Sequence, residues 1–483
     1  MPLITRKIEV QIYSKGVSAE DYNSQWAFLR QINNYLYLAA NLLASHNYFE
    51  EILSDRLKVT DTEYYKKRIK MSRQSGSGKE ESKKELREID KEVRNKINEL
   101  FKGTTKRTEL YRIVAEKFGE VIPTKILANL NKSVTDCYVG EEKDIRKGER
   151  SLRNYKKGLP IPFSWGKKEP TFPYIVKNEE TGNSDILFQF FPDLSKKFCK
   201  RQNPGSAGSP LTFRMHFGKD KSNNRAIVER IIADKDKAGD DRYKLSQSSL
   251  QIVGKDKNTK FFLLLCVDIP AQKNHLDPDK VLGIDLGINY PVYYATNKED
   301  NIKGHIGDRD SFLKQRLAFQ RRYKALQSVT CTSGGRGRKK KLQPLESLRS
   351  KERAWTKHMN HLYSREIIKA AQKLGTGTIH MEELTGIGKD EDGNVKKKRQ
   401  FILRNWSYFE LQTMIQYKAK MAGITVKKIP PAYTSQTCSC CGEKGERKEQ
   451  AHFKCLNPLC SMFDKDVNAD YNAARNIAKY QAD

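Results

Sequence analysis

Over residues 3–13 (LITRKIEVQIY) apolar and polar positions alternate, and Ile4, Ile8, Val10 and Ile12 predict a β-strand with one buried face. From Tyr22 the period lengthens. Phe28, Ile32, Tyr35, Leu38 and Leu42 recur at helical spacing in FLRQINNYLYLAANLLASHNYFEEIL and predict a long amphipathic helix. Residues 60–107 keep helical character but are very polar, with a break at S-G-S-G (75–78). That stretch reads as a solvated helical hairpin or as a basic face lying along a nucleic-acid backbone. LYRIVAEKF and PTKILANLNKSVTDCYV (110–139) add two helices, and the basic run KDIRKGERSLRNYKKGLPIPF (143–163) closes the region at two prolines.

From residue 172 short strand patterns return: FPYIV, DILFQFF, LTFRMHF, AIVERII, YKLSQSSLQIV and KFFLLLCVDI, separated by Gly, Asn and Asp turns. They predict a small β-barrel to which the first strand belongs, with the helical block inserted between. PAQKNHLDPDK (270–280) reads as a linker. VLGIDLGINYPVYYAT (281–296) predicts two strands about a glycine turn, with Asp285 in the middle of the first. Helices at 310–328 and 345–373 flank TSGGRGRKKKL (332–342), a basic loop that is either a solvated turn or a phosphate contact. A strand at 376–387 (GTIHMEELTGI), a helix at 405–423 and a strand at 424–429 follow. In that helix Trp406, Leu411, Met414 and Ile415 are core candidates, and Trp406 reads as a core anchor rather than a base-stacking residue. The fold class is α/β and α+β, in several domains; 483 residues allow about three at roughly 150 each.

Charge changes the picture more than length does. Ninety Lys and Arg against 59 Asp and Glu leave a formal charge of +31, spread along the whole chain. Such a field attracts a polyanion in a strongly salt-dependent way. No long segment has the clean apolar face of a membrane-surface helix, so nucleic acid is the expected partner. The apolar run FFLLLCV (261–267) is far too short to span a bilayer, and the first residues lack a signal-peptide pattern. A soluble, cytoplasmic protein with no membrane partner is expected.

Five of nine cysteines crowd between 438 and 460, unlike a secreted disulfide framework; Cys137, Cys199, Cys266 and Cys331 stand alone as reduced thiols. Cys438 and Cys441 form one knuckle and Cys455 and Cys460 a looser pair, thirteen residues apart, a ribbon-like spacing for four thiolates on a structural zinc ion. Cys440 is a spare thiol that leaves open which sulfurs hold the ion. Beyond the ribbon, N-A-D-Y-N-A-A-R-N-I seats Asp470 at the start of a helix. Asp285 lies among Val281, Leu282, Ile284 and Leu286, where an unpaired charge is expensive. Of the adjacent Glu382 and Glu383, strand alternation lets only one face the same site. Three carboxylates brought together repel unless divalent cations sit among them. Two magnesium ions would equip such a site to hydrolyse a phosphodiester.

The segments G-I-D-L-G, M-E-E-L, Y-T-S-Q-T-C-S-x-C-G and N-A-D-Y-N-A-A-R-N-I resemble the RuvC motifs and zinc ribbon of transposon-encoded TnpB nucleases and miniature type V-F CRISPR effectors. The resemblance is firm over about 281–483 and extends to 200–280. G-G-R-G-R-K-K-K, I-L-R-N-W-S-Y and the long basic N-terminal part favour the type V-F branch. It implies an RNase H-like RuvC fold with Asp285, Glu382 and Asp470 as the catalytic, magnesium-binding triad, and zinc on Cys438, Cys441, Cys455 and Cys460. E-E-L stands where the family has E-D-L or E-N-L, and C-x4-C where C-x2-C is usual. Arg447 falls where relatives carry an arginine near the scissile strand. Arg336, Arg338, Lys339, Lys340 and Lys341 are candidate nucleic-acid contacts.

The implied organisation is a wedge strand (1–20), a helical recognition lobe (21–170), the rest of a wedge barrel (171–270), a linker (271–280), RuvC segments I and II (281–431), the ribbon (432–463) and RuvC segment III (464–483). The implied activity is guide-RNA-directed cleavage of double-stranded DNA beside a short flanking motif. A helical lobe of about 150 residues is small for a heteroduplex of about 20 base pairs, and type V-F members answer this with a homodimer on one guide RNA. The rival readings are a TnpB-type monomer and a non-catalytic zinc-ribbon nucleic-acid-binding protein.

Overall fold

A computed structural model describes residues 3–60, 66–67, 69–71, 77–100, 106–177, 182, 184–219, 223–239, 241–254, 258–272, 274–287, 290–298, 302–331, 337–383, 408–430, 434–447 and 452–480. The chain forms two compact units that divide between Asp268 and Ile269, and both mix helices and sheet.

In the N-terminal unit, β1 (Leu3–Ile12) leads into the helices α1 (Ala19–Thr60), α2 (Ser77–Leu100), α3 (Lys106–Phe118) and α4 (Thr124–Arg146). Strands follow as β2 (Ile161–Phe163), β3 (Tyr174–Lys177), β4 (Ser184–Gln189), β5 (Thr212–His216), β6 (Lys244–Leu245), β7 (Ser248–Val253) and β8 (Lys260–Asp268). β1 lies between β8 and β5, so the first strand does join the later ones across the helical insertion. The sheet runs β2-β7-β8-β1-β5-β4-β3 with β6 on β8. Among the described residues no pairing joins β2 to β3, so the expected closed barrel is an open sheet.

Two stretches depart from strand expectations. AIVERII lies in a helix, α6 (Asn224–Ala233), because Val228 and Ile231 bury at three-residue spacing while Arg225 and Glu229 pair on the other side. Past the DILFQFF strand an unforeseen helix, α5 (Pro192–Gln202), starts on a proline, which suits a first helical turn. The apolar stripe on α1 also splits. Phe28 and Ile32 are core, whereas Tyr35 and Leu38 are exposed.

The C-terminal unit is built on a five-stranded sheet, β11-β10-β9-β12-β13, of β9 (Asp277–Asp285), β10 (Val292–Thr296), β11 (Lys303–Ile306), β12 (Thr376–Glu382) and β13 (Thr425–Ile429). β9, β12 and β13 are parallel, and β10 and β11 antiparallel. β9 begins inside the stretch read as linker, which makes Asp285 its last residue rather than its middle one. The helices α7 (Arg309–Cys331), α8 (Arg338–Lys373) and α9 (Tyr408–Met421) bury one sheet face with Leu282, Ile284, Val292, Ile379 and Met381. The helix α10 (Ala469–Lys479) covers the other, packing on β9, β10 and β12. A two-stranded ribbon, β14 (His452–Lys454) and β15 (Asp466–Asn468), precedes α10.

The basic loop is shorter than expected, since Arg338–Lys341 form the first turn of α8. Lys340 and Lys341 are exposed there, while Arg336 and Trp406 lie outside the described residues. No helix among the described residues is long and apolar enough to cross a membrane.

Candidate active site

Strand alternation places the carboxylates. On β9, Leu282 and Ile284 point into the helical core, so Gly283 and Asp285 face α10. On β12, Ile379 and Met381 take the core side, so His380 and Glu382 face α10, and His380 Nδ1 lies 3.1 Å from the Ile477 carbonyl oxygen of that helix. Glu383 is sent the other way and is exposed. Because Met381 pairs with Ile284 in the parallel ladder, Glu382 and Asp285 are neighbours at the carboxyl ends of adjacent strands. Ligands of open α/β sheets characteristically bind at such ends.

Asp470 is brought over them by α10. Asn468 caps that helix by accepting from the Tyr471 amide at 3.0 Å, which fixes the first turn carrying Asp470. Gly287 marks the meeting point, since a β-carbon built there would lie 3.7 Å from Asp285 Oδ2 and 3.7 Å from Asp470 Cγ. The three acids that stand far apart in the sequence thus share one pocket, with Arg447 Nη2 3.9 Å from Asp470 Oδ1. Thr434, which the sequence did not single out, donates its hydroxyl to Glu382 Oε1. Its sequence signal was the Y-T-S-Q lead-in to the cysteines, read only as part of the ribbon.

All three carboxyls are held above the usual carboxylate range. For Asp285 the main cause is burial, then the charges of Asp470 and Glu382, opposed by Arg447. Burial raises Glu382 against the Thr434 hydrogen bond, and burial raises Asp470 against Arg447. Asp470 is only 5% exposed, and its Oδ2 is buried without a hydrogen-bond partner among the described residues. A buried orphan carboxylate oxygen beside two more raised acids is the environment a divalent cation would relieve. The residues therefore fit such an ion.

The ribbon holds a second constellation. Cys438, Cys441, Cys455 and Cys460 bring their sulfurs within 4.8 Å of one another. Cys438 and Cys460 are 3.9 Å apart and Cys441 and Cys455 3.6 Å. Four Zn–S bonds of about 2.3 Å in a tetrahedron put sulfurs about 3.8 Å apart, so the cluster is compatible with zinc. Cys440 is left out, exposed, with its sulfur 3.3 Å from the Ser461 hydroxyl. The C-x4-C spacing is accommodated without it.

Residues 264–388 match the OrfB_IS605 family, described as probable transposase, and residues 408–477 the TNB domain of Cas12f1-like proteins. The CRISPR-associated endodeoxyribonuclease Cas12f1 of Sulfoacidibacillus thermotolerans is 32% identical over 390 residues, covering 77% of this chain and 79% of the relative. Its namesake in Syntrophomonas palmitatica is 38% identical over 390 residues, covering 74% and 73%. The fold is also that of a Cas12f1 chain solved by cryo-EM in a Cas12f1–sgRNA–target DNA complex, with a TM-score of 0.61 at 20% identity over 99% of this chain and 98% of that one. The class these findings define is the miniature type V-F effector related to TnpB. Within it, the chain belongs to the Cas12f1 family.

Proposed function

We propose that this protein is a CRISPR RNA-guided DNA endonuclease whose single cleavage site is the pocket of Asp285, Glu382 and Asp470 in an RNase H-like RuvC domain. The observation that carries the reading is the convergence of these acids on one sheet face, with a buried Asp470 oxygen that has no hydrogen-bond partner among the described residues. Family membership supports it, since the relatives named above are endodeoxyribonucleases.

Asp285, Glu382 and Asp470 would hold two magnesium ions. When bound, such ions supply Lewis-acid activation of water and neutralise charge at the phosphodiester. The carboxylates would serve such ions as oxygen ligands. Their own task is to fix the ions over the carboxyl ends of β9 and β12. Arg447 stands beside Asp470 as a cation toward which a phosphate can be drawn. The cysteine tetrad would hold structural zinc, closing the ribbon against α10.

The partners are guide RNA and double-stranded target DNA, with a short flanking motif read by the protein and the remaining sequence read by base pairing. The +31 charge supports backbone contacts of this kind. Lys340 and Lys341, exposed at the start of α8, are candidates, together with Arg336, Arg338 and Lys339. The N-terminal unit would serve as wedge (1–20 and 171–270) and recognition lobe (21–170). The remainder would divide at 431 and 463 around the ribbon.

A homodimer on one guide RNA is favoured over a TnpB-type monomer by α1. There Tyr35, Leu38, Phe49 and Ile52 are exposed, with Leu42 and Ser45 between them, at alternating three- and four-residue spacing. That is the seam pattern of paired helices.

The test is cleavage of matched DNA by the protein–guide complex. Asp285→Ala should abolish cutting while leaving RNA binding intact. A variant that cuts at the normal rate would end this reading, and tight RNA binding without cleavage by the native chain in any divalent metal would leave the non-catalytic alternative.

A further inference from the structure

The segment leading into the ribbon hangs on the helix that carries Asp470. Asn472 accepts from the Ser439 amide at 2.8 Å and donates to the Thr437 carbonyl at 2.7 Å. One turn on, Asn476 donates to the carbonyls of Thr434 and Thr437, both at 2.8 Å. Lys479 reaches the Ser439 carbonyl at 2.9 Å. While Ala474 and Ala478 press on β9, this polar side of α10 grips residues 434–439.

Thr434 is where that grip meets the carboxylates. It is buried, its carbonyl is held by Asn476, and its hydroxyl donates to Glu382 Oε1. The backbone of Glu382 is fixed independently, its carbonyl accepting from Gln412 Nε2 at 2.6 Å. Past that point the side chain has its own rotatable bonds, and among the described residues the Thr434 hydroxyl is a hydrogen-bond donor that ties that carboxylate to the segment held on α10. A carboxylate ligand left to rotate loses part of its metal affinity to conformational entropy.

We propose that Thr434 is a positioning residue of the nuclease site: its hydroxyl sets the Glu382 carboxylate, and Asn476 sets Thr434 on α10, so that Glu382 and Asp470 keep a fixed separation. The inference rests on the metal-dependent reading of the pocket given above. It makes the lead-in of the ribbon part of the active site, so the ribbon has a task beyond holding its own fold.

Thr434→Ser and Thr434→Ala both remove the methyl group and differ only in the hydroxyl, so comparing them isolates the hydrogen bond. Manganese binding to the RNA-free full-length protein would be followed by electron paramagnetic resonance, and half-saturating magnesium would be measured for cleavage by the guide complex. Groups that orient metal ligands are worth about 10–100-fold in affinity or activity. Thr434→Ala is therefore expected to weaken manganese binding and raise half-saturating magnesium by about 10-fold or more, with Thr434→Ser close to wild type and zinc content unchanged in both. Equal manganese affinities for the two variants would overturn the proposal. Asp285→Ala is run alongside. Normal cutting by that variant would remove the site itself, whereas its loss of cutting combined with equal Thr434 variants would remove only the role of Thr434.

Discussion

Gly283 on β9 and Ala478 on α10 meet backbone to backbone. A β-carbon on Gly283 would lie 2.4 Å from the Ala478 amide nitrogen and 2.1 Å from the Ala474 carbonyl oxygen. Neither neighbour is a flexible side-chain end, so the space cannot be yielded locally. The glycine and the two alanines set the height of α10 above the sheet, and with it the height of Asp470 above Asp285. Gly283→Ala is expected to lift the helix. Displacement of a reacting group by about 1 Å can cost about 100-fold in rate, so single-turnover DNA cleavage should fall by about that factor with guide-RNA binding retained. Cleavage at the wild-type rate would show that this contact does not position Asp470.

The carboxyls themselves make the site sensitive to pH. Asp285, Glu382 and Asp470 are all held above the usual carboxylate range, chiefly by burial. Without metal, the folded protein keeps protons that the unfolded chain releases near pH 4. Its stability should therefore fall as pH rises from there through the raised folded values. Divalent cations bind the deprotonated form and reverse the trend. Thermal unfolding in chelator and in excess magnesium should diverge as pH increases, and half-saturating magnesium for cleavage should decrease over the same range. A magnesium requirement independent of pH across the acid limb would contradict this account.

Much of the C-terminal unit was legible because its chemistry is written in local pattern. Asp285 stood out as a charge among apolar strand residues and Asp470 as an acid at a helix start, while alternation admitted only one of Glu382 and Glu383 and the family resemblance chose Glu382. What was not legible depends on partners distant in sequence. Thr434 acts through Glu382, 52 residues away, and nothing in Y-T-S-Q shows which way its hydroxyl turns. AIVERII satisfied strand composition, but its burial follows a helical period set by packing in the unit, and tertiary context decides such short apolar runs. The expected barrel was inferred from short strand patterns closely spaced by turns, whereas closure depends on pairing between β2 and β3, which no local pattern encodes.

The cysteine cluster separates ligands from bystander. Cys440 sits between two of the four clustered thiols yet is exposed and bonded toward Ser461. Cys440→Ser should keep one zinc per chain and full cleavage. Cys455→Ser, within the tetrad and buried against Phe453 and Ala469, should lose zinc. Because residues 434–439 bridge the ribbon to α10, it should lose cleavage as well. Zinc content by chromophoric chelator and DNA cleavage on the same preparations test both. Zinc loss in Cys440→Ser would move the ligand set.

The exposed stripe on α1 can be tested without disturbing the core. Leu38 is 41% and Phe49 57% exposed, while the opposite face of the helix buries Leu29, Ile32, Leu36 and Leu43. Substitutions on exposed positions usually change monomer stability by less than about 0.5 kcal/mol each. In a seam the same side chains would each contribute about 1.5–3 kcal/mol if fully covered. Leu38→Lys with Phe49→Lys should then leave the melting temperature of the isolated chain nearly unchanged while shifting the RNA complex from two proteins per guide to one. Light scattering on the purified complex reads this directly. Two copies retained in the double variant would place the seam elsewhere, and a single copy in the wild type would favour the TnpB-like monomer.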